Sequence, residues 1–201
     1  MKNLILRRLL LASGVVIFIL PVVAWLLASP VVRQPREKSR SPGKTSWRRL
    51  PFKDRIALHL NYEADKRLGG LAIGLYRLTS GRIVRPWNVN VLILTTRGRK
   101  SGKTRTTILQ YFPVGADMVI AAANSGRSSH PGWFYNLMAT PEARVQVDGR
   151  TIQVHAEKLS DEEAAAFWPH LLRIAPTYAR YQEATSRAIP LVRLVPVLRA
   201  G

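Results

Sequence analysis

The sequence predicts an α+β protein: antiparallel strands joined by tight turns, helices beside them, and an apolar segment in front. Three observations carry that expectation. Val89 to Tyr111, VNVLILTTRGRKSGKTRTTILQY, reads as a strand, a short basic turn and a returning strand, with the β-branched and apolar residues that suit a pleated surface. Arg144–Val147 and Thr151–Ala156 alternate about Asp148-Gly149, a strong two-residue hairpin signal. Apolar residues recur at threes and fours between Asp54 and Thr79, and Ser160-Asp161-Glu162-Glu163 has the form of a capping box that opens a helix.

Leu9 to Ala28 holds no charge and is 20 residues long, enough to cross a bilayer core. Leu26 stands where a signal peptidase needs a small residue, so an uncleaved anchor is expected. Basic residues after the segment outnumber those before it, which predicts a cell-membrane protein with its folded part facing the cytoplasm and membrane lipid as a partner. Residues 31–52, rich in Pro, Ser, Lys and Arg, read as a basic linker. The division is therefore 1–30 anchor segment, 31–52 linker and 53–201 folded domain. In that domain, the helix over 54–79 packs against the sheet or touches the membrane, with Gly69 and Gly70 weakening it and Ser80-Gly81 ending it.

Val91 to Thr96 forms the first strand. Gly98 and Gly102 bracket the turn, and Arg97, Arg99, Lys100, Lys103 and Arg105 place five cations within nine residues. Arg105 to Phe112 returns as one strand, with Thr107, Leu109 and Tyr111 on one face and Thr106, Ile108 and Gln110 on the other. Cations, hydroxyls and backbone N–H groups at one bend suit an anion. A nucleotide P-loop does not fit. It needs glycine where Arg97 stands and a helix where the chain alternates.

Met118 to Ala123 is a short strand, broken at Asn124. Ser128 or Ser129 is expected to cap a helix begun by Pro131. Trp133 suits either the core or a ligand, and His130 suits a structural role. Pro169 bends or restarts the helix that follows the capping box. Pro176 opens another, with Tyr178, Tyr181 and Thr185 on one face. Leu191 to Val197 is the last strand.

The balance of 31 basic to 12 acidic residues gives a net charge of +19. Residues 1–58 hold 12 and 2 of these and the remainder 19 and 10, so the domain itself is basic. An anionic cofactor, a membrane or nucleic acid all suit that charge. Nucleic acid is not expected, because aromatic residues are not interleaved with the cations. Without cysteine there is no thiolate chemistry, and no metal site is expected. No serine elbow or zinc-protease helix is present either. Such a chain can still be an enzyme if a bound cofactor supplies the reactivity.

The runs TTRGRKSGKTRTT, AANSGRSSHPGWFYNLMATPEARVQVDG and PTYARYQ, in that order, resemble the deazaflavin-dependent nitroreductase family. The resemblance extends from about Leu75 to about Val195. It implies a split β-barrel of the FMN-binding, pyridoxamine-phosphate-oxidase-like kind, with flanking helices and reduced coenzyme F420 as hydride donor. It further implies that Arg99, Lys100 and Ser101, with Arg105, Thr106 and Thr107, grip the phosphate and acidic tail. Ile108 and Leu109 would lie along the ring. Ala121, Ala122, Ala123 and Asn124, with Gly132, Trp133, Phe134, Tyr135 and Asn136, would frame it. Tyr178 and Tyr181 would close the substrate side and protonate the acceptor. Where nitro-reducing members carry further polar or aromatic groups, this chain has Gln110, Ala123 and Ala175. A quinone acceptor is thereby favoured over a nitroaromatic one. The basic bend alone does not separate F420 from FMN, and a non-enzymatic basic membrane-binding protein is the further alternative.

Overall fold

The computed structural model describes residues 69–82 and 90–197. The expected anchor, the linker, and the first part of the expected helix over 54–79 lie outside those residues. Among the described residues no helix is long and apolar enough to cross a membrane.

Helix α1 (residues 69–78) precedes strands β1 (Val91–Arg97), β2 (Thr104–Gln110), β3 (Phe112–Val114) and β4 (Asp117–Ala121). Helix α2 (Gly132–Ala139), the hairpin β5 (Glu142–Val147) and β6 (Arg150–Lys158), helices α3 (Asp161–Ile174) and α4 (Thr177–Ala184), and strand β7 (Leu191–Pro196) follow. The strands make one antiparallel sheet in the order β2-β1-β5-β6-β7-β4-β3.

The two outermost strands of that order are joined by a single residue, Tyr111. One residue spans only about 3.3 Å of extended chain, so the sheet must roll until its two edges meet there. The result is a split half-barrel with helices set around it. The expected single strand over 105–112 is thus divided: the chain bends at Tyr111, pairs with β1 before the bend and with β4 after it.

Consecutive residues of β4 enter opposite layers. Met118 and Ile120 join Leu92, Leu94, Val145, Val154 and Leu194 inside the roll, closed by Trp133, Phe134 and Leu137 of α2. Val119 and Ala121 face Phe112, Leu171 and Leu191 beneath α3. A strand covered on both faces reads as a continuous apolar run, as MVIAAA does.

Local sequence sets the remaining turns. Asp148 and Gly149 both take positive φ, 48° and 80°, the conformation of a type I′ turn. The capping box opens α3 as expected: Ser160 Oγ accepts from the Glu163 amide, and the Glu163 carboxylate accepts from the Ser160 amide. Helix α1 ends at Ser80 and Gly81, both at positive φ. Its Tyr76 is buried and donates to the Val91 carbonyl at 2.7 Å, while Leu71 and Leu78 stay exposed.

One local expectation fails, and one of two alternatives for another is excluded. Neither Ser128 nor Ser129 caps α2, since Pro131 itself occupies the N-cap, extended at φ −67° and ψ 153°. Helix α3 runs through Pro169 without restarting. A proline removes only its own N–H, and the amphipathic face of α3 packs on the barrel on both sides of it.

Candidate cofactor site

The site begins at the turn between β1 and β2. Gly98 donates to the Lys103 carbonyl at 2.8 Å, and Gly102 donates to the Gly98 carbonyl at 2.7 Å. A Cβ on Gly98 would stand 3.0 Å from both the Lys103 carbonyl oxygen and Ser101 Oγ, so a side chain there would open the turn. Gly102 has φ +65°, which glycine adopts without steric cost.

Helix α2 meets this turn. Asn136, on its second turn, is buried. Its Nδ2 donates to Thr96 Oγ1 at 3.0 Å, and its Oδ1 accepts from the Arg99 amide at 3.1 Å. Between turn and helix lies a cavity of about 530 Å³. Arg99, Lys100, Ser101, Arg105, Thr106 and Thr107 line one side of it. Asn124, Gly132, Trp133, Tyr135 and Asn136 line the other.

Three cations and no carboxylate face the cavity. A Cβ on Gly132 would meet nothing within 4 Å, so the first turn of α2 opens directly onto the space. Pro131 offers its amides no side-chain cap. A helix start of this kind favours an anion through its amides and its dipole. The Arg99 guanidinium lies 4.9 Å from the centroid of the Tyr135 ring, which holds one cation at the rim.

The other residues implicated by sequence are not among those that line this cavity. Ile108 and Leu109 are half-buried in β2, Leu109 against the inner core. Ala121, Ala122, Ala123 and Phe134 are buried. Tyr178 and Tyr181 also stand outside the lining. Their rings meet edge-on at 5.3 Å, and Tyr178 meets Phe112 in the same way at 5.8 Å. Their helix reaches the site indirectly. Gly126, at φ +74°, follows Asn124 and Ser125 at φ 49° and 51°. A Cβ on Gly126 would lie 2.6 Å from Ala184 Cβ and 3.1 Å from the Tyr181 carbonyl. Helix α4 therefore packs directly on the turn that presents Asn124.

A family model described as F420H(2)-dependent quinone reductase matches residues 71–196. The chain belongs to the F420H(2)-dependent quinone reductase family. An F420H(2)-dependent quinone reductase of Mycobacterium tuberculosis is 36% identical over 125 residues, 60% of this chain and 84% of that protein. A solved structure described as an F420-H2 dependent reductase (FDR-A) is 31% identical, with a TM-score of 0.48 over 52% of this chain and 93% of its own. As a member of the quinone reductase family, the protein is an oxidoreductase whose hydride donor is reduced coenzyme F420. The cavity suits that coenzyme, with cations and hydroxyls for a phosphate and acidic tail, and Trp133 and Tyr135 for a flat ring.

Sequence reasoning missed Arg187. Its guanidinium donates to the carbonyls of Arg127, Ala122 and Ala123 at 3.0, 3.0 and 2.8 Å, and to His130 Nδ1 at 2.9 Å. It braces the segment behind Asn124 against the loop before α2. Partners 57 to 65 positions away leave no local signal. In the sequence Thr96 signals only a strand, yet it is 3% exposed and holds Asn136. His130 has the structural role its sequence suggested. Burial, then Arg187 and Lys158, hold its pKa below the ordinary value.

Proposed function

We propose that this member of the quinone reductase family reduces a membrane quinone. It would be held at the cell membrane by Leu9–Ala28, with residues 53–201 as the catalytic domain on the cytoplasmic side. The observation that carries the cofactor half is the cavity between the basic turn and the open start of α2, whose charged lining residues, Arg99, Lys100 and Arg105, are all cations. The bound reduced coenzyme supplies hydride. Arg99, Lys100 and Arg105 bind its anionic groups by charge-assisted contacts, with Ser101, Thr106 and Thr107 contributing hydroxyls. Asn124, Gly132, Trp133, Tyr135 and Asn136 bound the ring. Tyr178 or Tyr181 delivers the proton that a quinone oxygen takes up as the hydride arrives. The buried methyls of Ala123 and Ala175 add no polar group for a nitro substituent, which favours the quinone. The chain's apolar leader suits an acceptor that resides in lipid.

The test is a titration of the full-length protein with coenzyme F420 and separately with FMN, followed by turnover against menaquinone analogues and nitroaromatics. Saturable F420 binding, no FMN binding and faster quinone turnover are expected. Tyr178→Phe and Tyr181→Phe should separate the proton donor. The variant that matters loses about 10²-fold or more in kcat and little in coenzyme affinity. Reduced coenzyme that stays unoxidised with every acceptor ends the proposal. Full-length protein recovered outside the membrane fraction, or a protein lacking residues 1–30 that stays in it, would end its membrane half.

A further inference from the structure

We infer that Asn136 is a positioning residue. It acts through Thr96 and Arg99 to hold the cationic turn in its anion-receiving shape before any ligand arrives. The inference rests on the reading of the cavity as the coenzyme site.

One side-chain amide contacts both the end of β1 and the turn that follows it. The Arg99 amide is only a donor, so it must face Oδ1, and Nδ2 is thereby turned to Thr96 Oγ1. Thr96 and Asn136 are 3% and 8% exposed, so the bond between them is shielded from competing water, and the bond to the Arg99 amide is partly so. Thr96 is paired with Arg105 across the β1–β2 ladder. The amide thus fixes Arg99 directly and the strand partner of Arg105 at one remove.

A fixing device is needed here. Arg97, Arg99, Lys100, Lys103 and Arg105 repel one another across one short bend, and without an anion that repulsion favours a splayed turn. The turn's own backbone bonds, at Gly98 and Gly102, close it on itself, but they do not aim it at α2. The Asn136 bonds do. Ordering the turn in advance removes a cost that ligand binding would otherwise carry. An aspartate at this position would accept from Arg99 equally well, yet it would bring a negative charge into the cradle. The neutral amide holds the turn and leaves the cations for the ligand.

The test uses full-length protein carrying Asn136→Leu, Thr96→Val, the two together, and Thr96→Ser. In ligand-free protein, amide hydrogen exchange at Arg99 should quicken in the first three and stay as in wild type in Thr96→Ser. In turnover, KM for the reduced coenzyme should rise about tenfold in each single variant and no further in the pair. The change in kcat should be much smaller. Should Asn136→Leu fold poorly, Thr96→Val retains the Asn136 side chain and carries the test alone. A Thr96→Val protein with unchanged KM and unchanged Arg99 exchange overturns the inference. So do additive losses in the pair, which would mean that Asn136 and Thr96 act independently. Wild-type protein that never saturates with the reduced coenzyme overturns the coenzyme reading instead, a result that Arg99 exchange does not share.

Discussion

Gly126 shows how much one backbone position decides. Its left-handed φ and the 2.6 Å gap to Ala184 Cβ leave no room for a side chain. Gly126→Ala should cost about 2–5 kcal/mol, the sum of a left-handed penalty and overpacking, measured by urea denaturation. Arg187 and His130 give the residue-scale pH prediction. Arginine can only donate, so His130 Nδ1 must accept, and the ring must be neutral. The folded pKa is lowered, and the unfolded one lies near 6.5. Between the two, the unfolded chain binds more protons. Stability is therefore complete above about pH 6.5 and declines as pH falls through the lowered folded value. Melting temperatures from pH 8 to 5 should show this decline, and His130→Gln should flatten it. Contacts of this sort were beyond sequence reading: Asn136 and Thr96 are 40 positions apart, and neither residue type announces the other.

Elements were legible where their signals are short-range. Asp148-Gly149 specified its turn, and Ser160 with Glu163 specified a helix start, because each is complete within a few residues. Ser160→Ala should cost about 1 kcal/mol, read as a lower denaturation midpoint with an unchanged slope. The Ser160 backbone bond, and then Arg193, hold the Glu163 carboxyl below its usual range. The cap's contribution therefore fades as acid protonates that group. Signals failed where packing overrides them. Pro169 suggests a bend or a restart, and the helix does not restart because the apolar residues before and after it share one surface to cover. The serines before Pro131 suggest a cap, but an extended proline already occupies the position.

At the scale of the whole molecule, the sequence showed the hairpins β1–β2 and β5–β6 but not the order in which they assemble. The pairings of β1 with β5, β6 with β7 and β7 with β4 join distant stretches, and alternation carries no partner label. The charge was legible, and its consequence is testable. Lys100→Ala and Arg105→Ala should each weaken coenzyme binding about tenfold. The wild-type Kd should rise with added salt, and less steeply in either variant. Isothermal titration across a salt series measures both.

Tyr111 makes the two margins of the sheet a single length of chain. Thr106 and Thr107 face the cavity before that hinge, and Phe112 lies against Tyr178 just after it. The coenzyme wall and the packing of Tyr178 are thus tied by a few residues of continuous backbone.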